Sequence, residues 1–266
     1  MTTVPYSPIP SLHGTQVIIT GGASGMGAAL VRAFARAGAR VVSMDRAIAA
    51  GAEIVADANE QAAIPANFVG CDVADEASVT RAFSEAVVAL EGLDTVIHAA
   101  GIAPGCPAEN ISVSEWDNVF AANTRGTFLV NKAAFAHLRE TGGRILNFAS
   151  GAGIKGQPNK AHYSASKGAV VAWTRTVAHE WGRYGITVNA IAPAISTPMY
   201  AKTRSKMSPQ ALAIHDAKMA ADMPIDGALG DCERDLVPVL AFLSTDGARF
   251  ITGQVIPIDG GLLMVR

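Results

Sequence analysis

The sequence predicts a single-domain α/β fold in which a doubly wound, seven-stranded parallel sheet is covered by helices on both faces. Two observations support this prediction. Short apolar runs alternate with longer segments rich in alanine and leucine, as buried parallel strands alternating with helices require. The chain has 266 residues, enough for one sizeable core and too few for two ordinary catalytic domains. The predicted strands are residues 17–19, 40–44, 67–69, 95–97, 145–148, 186–188 and 255–258.

Helices are predicted between these strands, including residues 26–37, 76–90, 115–138 and 161–183. Right-handed crossovers would bring the carboxyl ends of the strands to one edge of the sheet, where sites form in such folds. Residues 1–14 contain Pro5, Pro8 and Pro10 and are expected to form a flexible arm before one domain at 15–266. Residues 196–228 are expected to form a substrate lid.

Composition excludes several classes of partner. A formal net charge of -2 and a pI near 6.3 provide no basic surface for nucleic acid or an anionic membrane. Mean hydropathy is high at +0.26, but the apolar residues occur in short runs, so no membrane-spanning segment is expected. Cys71, Cys106 and Cys232 lack metal-ligand spacing, which predicts free thiols, no metal site and a cytoplasmic location.

A glycine-rich loop follows the first predicted strand, with the sequence TGGASGMG at residues 20–27. Gly21 would permit a tight turn, Gly25 would let the backbone approach a pyrophosphate, and Gly27 would allow a helix to pack on the sheet. Glycines at this spacing also occur in simple loops, but the position between a strand and an alanine-rich helix favours a dinucleotide cradle. The cofactor-binding residues predicted here are Gly21, Ser24, Gly25, Met26 and Gly27.

Asp45 follows the second strand, and its position predicts the choice of dinucleotide. A carboxylate there would accept hydrogen bonds from the ribose hydroxyls and repel a 2′-phosphate, which favours NAD. Arg46 is the adjacent residue, and its guanidinium could instead hold that phosphate, so NADP stays an alternative. Both side chains could also be solvated turn residues. We predict Asp45 and Arg46 as cofactor-binding residues and NAD as the cofactor.

Tyr163 and Lys167 are the candidate proton-transfer pair. Residues four apart share a helix face at about 6 Å, so the Lys167 ammonium is expected to lower the pKa of the Tyr163 phenol. A tyrosine tuned in this way could exchange a proton with an alcohol or a ketone near neutral pH. Ser150 ends the fifth predicted strand and would hydrogen-bond the substrate oxygen. A Tyr-x-x-x-Lys pair alone also occurs on surface helices.

Together these motifs resemble the short-chain dehydrogenase/reductase family over about residues 14–261. The resemblance rests on the glycine loop, the pair Asp72-Val73, the segment 189–193 with Thr197, and the ending Asp259-Gly260-Gly261. It also places four residues on the family's catalytic positions: Asn123, Ser150, Tyr163 and Lys167. The resemblance implies a Rossmann fold and a reaction that interconverts a secondary alcohol and a ketone.

The resemblance implies further roles. Asn123 would distort its helix and hold a water that links Lys167 to solvent. The chain would form a homotetramer through residues 115–138 and 161–183, with Leu262, Leu263 and Met264 at a second interface. The cofactor-binding residues implied beyond the glycine loop are Asp72, Val73, Ala99, Ala100, Gly101, Tyr163, Lys167, Pro193, Ile195 and Thr197.

The chain departs from the family pattern at three places. The usual Asn-Asn-Ala-Gly reads His98-Ala99-Ala100-Gly101 here, so two amides are missing, and a ring nitrogen of His98 is expected to replace one hydrogen bond in a structural role. Ala149 stands where relatives often carry serine. Ala194 stands where they carry glycine, and its methyl group would narrow the space near the nicotinamide. These changes concern the shape of the pocket and leave the proton-transfer groups in place.

The substrate and the direction of the reaction are left open. Methionines in the lid would provide adaptable apolar walls, although a helix that covers the core would have the same composition. An NADPH-dependent carbonyl reductase is the alternative within the same class. A lyase or dehalogenase on this fold would be expected to lack the glycine loop or the lysine, and both are present. A dinucleotide sensor would have no use for the four catalytic residues.

Overall fold

The structure is a computed structural model that describes residues 9–263, apart from the side chain of Met199. Seven parallel strands form one sheet in the order β3-β2-β1-β4-β5-β6-β7, which confirms the predicted fold class. The reversal of strand order between β1 and β4 opens a crevice at their carboxyl ends, where ligands bind in open α/β sheets. The strands are β1 (Gln16–Thr20), β2 (Arg40–Asp45), β3 (Asn67–Gly70), β4 (Thr95–His98), β5 (Gly143–Phe148), β6 (Ile186–Pro193) and β7 (Val255–Ile258).

Helices connect the strands and cover both faces of the sheet. A π-helical turn, Ala121–Arg125, joins α4 to α5, and a second, Cys232–Leu236, precedes α10. The helices are α1 (Gly25–Arg36), α2 (Ile48–Asn59), α3 (Glu76–Leu90), α4 (Val113–Phe120), α5 (Gly126–Leu138), α6 (Ala152–Lys155), α7 (Ala161–Trp181), α8 (Pro198–Arg204), α9 (Pro209–Asp222) and α10 (Val237–Leu243).

The core lies in two layers because successive strand residues face opposite sides of the sheet. Val17 and Ile19 of β1 pack in one layer with residues of α1 and α10. Ile18, between them, packs in the other layer with residues of α3 and α5. All three side chains are fully buried. This two-sided burial explains why the strands are continuous apolar runs rather than alternating ones.

Two predicted helices differ from the structure in their detail. The stretch predicted as one helix at 115–138 is interrupted by the π-helical turn Ala121–Arg125. Asn123, where the resemblance implies a distorted helix, lies in this turn. The stretch predicted at 161–183 ends as an α-helix at Trp181 and continues as a short 3₁₀ turn, Gly182–Tyr184. The glycines at 182 and 185 account for this early end, since Gly185 adopts a left-handed conformation with φ of 71°.

The flexible arm predicted at residues 1–14 does not extend to residue 14. Leu12 is 1 % exposed and belongs to the core layer that contains α1. The backbone N–H of Leu12 donates to Ala37 O at 3.0 Å, and the N–H of Gly14 donates to Gly38 O at 3.0 Å. The apolar side chain of Leu12 therefore anchors the segment. Residues 1–8 and Met264, part of the predicted second interface, lie outside the described residues.

Three sequence expectations concern features away from the sheet. Within residues 9–263, no helix is long and apolar enough to cross a membrane. The same residues contain no cluster of three or more histidine, cysteine or acidic side chains that could hold a metal. Cys71, Cys106 and Cys232 are free thiols, as their spacing predicts.

Candidate active site

The candidate site lies along the carboxyl edge of the sheet. The glycine loop leaves β1 at Thr20, Ser150 follows β5 by two residues, and Pro193 ends β6. In the crevice between β1 and β4, the chain after β4 passes so close to the loop that a Cβ on Gly21 would lie 2.7 Å from Ala100 N. Only glycine fits there. The φ of Gly21, +72°, also favours glycine, because residues with a side chain rarely adopt this conformation.

The first turn of α1 has the features of an anion site. Ser24 is the N-cap residue, and within the described chain its side chain makes no capping hydrogen bond, so it does not cover the amides of the first turn. A Cβ on Gly25 would meet nothing within 4 Å, which leaves open space over that turn. Exposed amides and the positive end of the helix dipole bind phosphate. These features fit the pyrophosphate of a dinucleotide, with Met26 and Gly27 continuing the turn.

Asp45 ties the end of β2 to the glycine loop. Its Oδ2 accepts the N–H of Ala23 at 3.1 Å, and its Oδ1 accepts the N–H of Ala47 at 2.9 Å. Each carboxylate oxygen has two lone pairs, so both oxygens can accept a further hydrogen bond from a ribose hydroxyl. Arg46 is exposed beside it. Sequence reasoning did not find this structural role of Asp45.

The other predicted cofactor residues lie at the same edge in different local settings. Asp72 Oδ1 accepts the N–H of Ala74 at 2.9 Å, and Val73 is buried. Ala99 and Gly101 flank Ala100 in the segment after β4. Ile195 pairs with Gly230 in an isolated bridge, which closes the segment after Pro193. Thr197 caps α8 by accepting the N–H of Tyr200 at 3.3 Å.

The Ser150 hydroxyl lies close enough to the Tyr163 phenol to influence its pKa. Ser150 Oγ also accepts the N–H of Ala152 at 3.1 Å, which fixes the hydroxyl at the start of α6. Burial raises the pKa of the Tyr163 phenol, and the hydrogen bond from Ser150 opposes that rise. The lowering by Lys167 that the sequence predicts is not found, because the ammonium is engaged elsewhere.

The Lys167 ammonium binds the carbonyl at the end of β5. Its Nζ donates to Phe148 O at 2.6 Å, and the side chain is only 5 % exposed. Burial lowers the pKa of Lys167 to about 8 from 10.5. The lysine therefore fastens α7, which carries Tyr163, to the strand that leads to Ser150. This partner could not be identified from the helical spacing alone.

Asn123 connects the π-helical turn to both sides of the site. Its Oδ1 accepts the N–H of Ile102 at 2.8 Å, and its Nδ2 donates to Ile102 O at 2.9 Å and to Ser166 Oγ at 3.0 Å. Ser166 Oγ donates in turn to the carbonyl of Tyr163 at 2.7 Å. Sequence reasoning missed Ser166, although a serine on the same helix as the tyrosine and lysine was a usable signal.

A second buried polar group lies deeper between β5, α5 and α7. The amides of Asn131 and Asn147 exchange hydrogen bonds at 2.8 and 2.9 Å. Asn147 also donates to Thr174 Oγ1 at 3.1 Å, and Trp173 donates to Asn131 Oδ1 at 3.0 Å. The sequence analysis did not identify this group. An asparagine inside an otherwise apolar strand was its signal, since a buried amide needs partners.

His98 is buried beneath the crevice with one ring nitrogen paired. Its Nδ1 lies 2.8 Å from Thr20 Oγ1, which also accepts the N–H of Ala100 at 3.3 Å. His98 therefore makes the hydrogen bond expected in place of a missing amide, and its partner is the side chain of Thr20. The ring lies in a structural position between β1 and β4. Nε2 has no partner within the described residues. Burial, and secondarily the charge of Lys167, lower the pKa of His98 to about 3.

The predicted lid consists of α8 and α9, joined by a polar clasp. Tyr200 Oη lies 2.6 Å from His215 Nε2, and Arg204 forms a two-point ion pair with Asp216, with one contact at 2.9 Å. The pairing raises the pKa of Arg204 and lowers that of Asp216. No residue of α9 is buried. Polar side chains therefore join α8 to α9.

Comparison with known proteins identifies the class of protein that this fold and site define. A family model described as enoyl-(acyl carrier protein) reductase matches residues 21–263. A short-chain type dehydrogenase/reductase from Mycobacterium ulcerans superposes with a TM-score of 0.88 at 28% identity, covering 95% of this chain and 90% of that one. The chain belongs to the short-chain dehydrogenase/reductase family.

Two relatives illustrate the range of reactions in the family. Versicolorin reductase stcU of Emericella nidulans is 36% identical over 94% of this chain and 96% of its own length. Cis-4-hydroxycyclohexanecarboxylate dehydrogenase of Sinomonas cyclohexanicum is 38% identical over 93% of this chain and 96% of its own length. This protein is accordingly an oxidoreductase that acts on CH–OH groups and uses a nicotinamide dinucleotide.

We predict that His98 makes the fold sensitive to acid. The folded protein keeps His98 neutral down to about pH 3, whereas the unfolded chain takes up a proton below its ordinary pKa of 6.5. Stability is therefore lost as pH falls below 6.5, by about 2 kcal/mol between pH 7 and pH 5. Urea unfolding of the wild type and His98→Asn at both pH values measures this loss, which should be smaller in the variant.

The matched control is His13→Asn, because His13 is exposed. That variant should keep the pH dependence of the wild type. Equal pH dependence in the wild type and His98→Asn would show that the buried ring is not the source of acid sensitivity.

Proposed function

We propose that this protein interconverts a secondary alcohol and a ketone with NAD, using Tyr163 as the general acid and base. The observation that supports this most directly is that the Ser150 and Tyr163 side chains lie side by side at the carboxyl edge of the sheet. The N–H of Ala152 holds the Ser150 hydroxyl, and the bond from Lys167 to Phe148 O holds α7, the helix that carries Tyr163. Their rigidity suits a site that must hold one reacting oxygen.

The hydroxyls of Ser150 and Tyr163 have different roles at the substrate oxygen. Ser150 donates a hydrogen bond to that oxygen and stabilises its developing charge during reduction. Tyr163 donates its proton to the oxygen in reduction and accepts it back in oxidation. A nicotinamide dinucleotide bound at the glycine loop would supply or accept the hydride of this reaction. Burial keeps the phenol protonated, which favours its role as the acid in ketone reduction.

Asn123 and Lys167 are proposed to serve the proton path. Lys167 is buried next to Gly101, where a Cβ would lie 3.4 Å from its Nζ, and Asn123 Oδ1 lies on the same side. The lowered pKa of Lys167, about 8, lets its ammonium release a proton at a moderate cost. A path through these groups would return a proton to Tyr163 after each reduction.

The substrate class is proposed from the relatives, whose names include versicolorin and the alicyclic hydroxy acid cis-4-hydroxycyclohexanecarboxylate. A suitable panel contains 4-hydroxycyclohexanecarboxylate, its carboxamide, cyclohexanol and a polyol. Formation of NADH with any member supports the proposal. The polar clasp between α8 and α9 supports a lid of defined shape rather than a freely adaptable wall.

The alternative is an NADPH-dependent carbonyl reductase, favoured by the exposed guanidinium of Arg46 beside the ribose position. NAD is preferred in our proposal because the Asp45 carboxylate is held at the end of β2 by two backbone N–H groups. A carboxylate fixed there would repel a 2′-phosphate. A lyase or dehalogenase is less well supported, because the glycine loop and Lys167 are intact.

Assembly as a cytoplasmic homotetramer completes the proposal. Aromatic side chains form a row across α5 and α7, with Phe128 against Trp173 and Phe135 against Trp181 and Tyr184. Phe128 is 39 % exposed. An aromatic row with an exposed end is typical of a subunit interface, and closed symmetry is the usual outcome for identical chains.

We predict that Tyr163→Phe removes turnover while it leaves the dinucleotide bound. The variant keeps the ring but lacks the exchangeable proton, so kcat should fall by about two orders of magnitude or more. Turnover is measured by NADH absorbance and dinucleotide binding by fluorescence titration. Near-normal turnover in a variant that binds the dinucleotide would refute the assignment of Tyr163.

We predict that Asp45→Ala shifts the cofactor preference toward NADP. The wild type should prefer NAD by about ten- to a hundredfold in kcat/KM, since each tenfold preference corresponds to about 1.4 kcal/mol. Because the substitution also removes two backbone hydrogen bonds, Asp45→Asn serves as the isosteric variant, and both should lose discrimination. A wild-type preference for NADP, or unchanged discrimination in both variants, would assign the choice to Arg46 or another residue.

A further inference from the structure

A second lysine approaches the ring of Tyr163. The Nζ of Lys160 lies 5.5 Å from the ring centroid. Lys160 directly precedes α7, and residues three apart at the start of a helix lie on the same face. Its ammonium therefore belongs to the same site as the phenol. Unlike Lys167, it has no place in the catalytic arrangement described above.

Two loops hold Lys160 in this position. Asn159 adopts a left-handed conformation, with φ of 59°, which turns the chain into α7. The N–H of Cys106 donates to Asn159 O at 2.7 Å and ties the loop after β4 to this turn. A Cβ on Gly105 would lie 4.0 Å from Lys160 Cε, so the aliphatic stem passes along that glycine. Backbone contacts of the two loops therefore determine the position of Lys160.

The surroundings leave the ammonium without a counter-ion. Residues 154–159 are exposed, whereas Lys160 is half-buried. Burial lowers the pKa of Lys160, and no nearby carboxylate opposes that change. Across residues 9–263, no acidic side chain forms an ion pair with it. A cation that is partly removed from water without a counter-ion is costly, which favours an anion from outside the chain.

We propose that Lys160 is a specificity-determining residue that binds a carboxylate of the substrate. This inference rests on the proposed function, since it places the carbinol oxygen at Tyr163 and the carboxylate a few bonds away. The preferred substrates are then secondary hydroxy acids and the corresponding keto acids. A charge-assisted hydrogen bond between ammonium and carboxylate provides the recognition, and a neutral analogue of the same shape lacks it.

The test compares 4-hydroxycyclohexanecarboxylate with its carboxamide, which has the same skeleton without the charge. In the wild type, kcat/KM for the acid should exceed that for the amide by about ten- to a hundredfold. Lys160→Met should remove this ratio, mainly through a higher KM for the acid, and leave the amide within about twofold. Lys160→Arg should restore much of the ratio. Lys155→Met, an exposed lysine nearby, is the control and should behave as the wild type.

Three results would overturn the inference. An equal loss on acid and amide in Lys160→Met would mean that the lysine acts on the Tyr163 phenol or on the fold. A wild type that does not prefer the acid, but oxidises cyclohexanol or the amide, would refute carboxylate recognition while the proposed function stands. Absence of NADH formation with every member of the panel, in a protein that binds the dinucleotide, would refute the proposed function as well.

Discussion

The hydrogen bond from Lys167 Nζ to Phe148 O is the contact on which the arrangement of the site depends. It joins α7 to the end of β5 at 2.6 Å, and so fixes Tyr163 on one element relative to Ser150 beyond the other. Burial of the ammonium has a considerable free-energy cost, because lowering the pKa of a lysine from 10.5 to about 8 corresponds to about 3 kcal/mol. The fold retains a buried cation at a position where burying a hydrophobic side chain would cost less free energy. Such a cost is typical of a functional group.

Buried polar side chains around Lys167 convert this single contact into a rigid frame. Asn123 and Ser166 link the π-helical turn to the backbone of Tyr163, and Asn131 with Asn147 links α5 to β5. Each amide and hydroxyl in these groups has a partner, so the desolvation cost of each is offset. The apolar layers on both faces of the sheet provide the stability, and the polar groups determine how the helices are placed.

The fold could be predicted from the sequence because it follows from local patterns. Two-sided burial produces apolar runs, and all seven predicted runs lie within the observed strands. The break within 115–138 was expected at Asn123 only from the family resemblance, and not from the apolar pattern of the stretch. The packing of Leu12 was hidden by the prolines around it, because one buried leucine suffices to anchor a short segment.

For the candidate site, the sequence indicated which side chains would lie near one another and did not indicate their hydrogen-bond partners. Helical spacing placed Tyr163 near Lys167, but the partner of the ammonium is a strand-end carbonyl whose position depends on how α7 packs on the sheet. For the same reason, the pKa of Tyr163 moves upward with burial instead of downward. The clasp between α8 and α9 joins two helices whose mutual angle is set by tertiary packing. Spacing along one helix therefore could not reveal it.

The most direct test of this account is the titration of Lys167 itself. Lysine labelled with ¹³C at Cε gives a resolved NMR signal for a buried side chain, and its disappearance in Lys167→Met would assign it. The account predicts a midpoint near pH 8, because the ammonium is buried and neutralised more readily than in water. A midpoint at the ordinary value of 10.5 would show that the ammonium is solvated. The bond to Phe148 would then not be what positions Tyr163 beside Ser150.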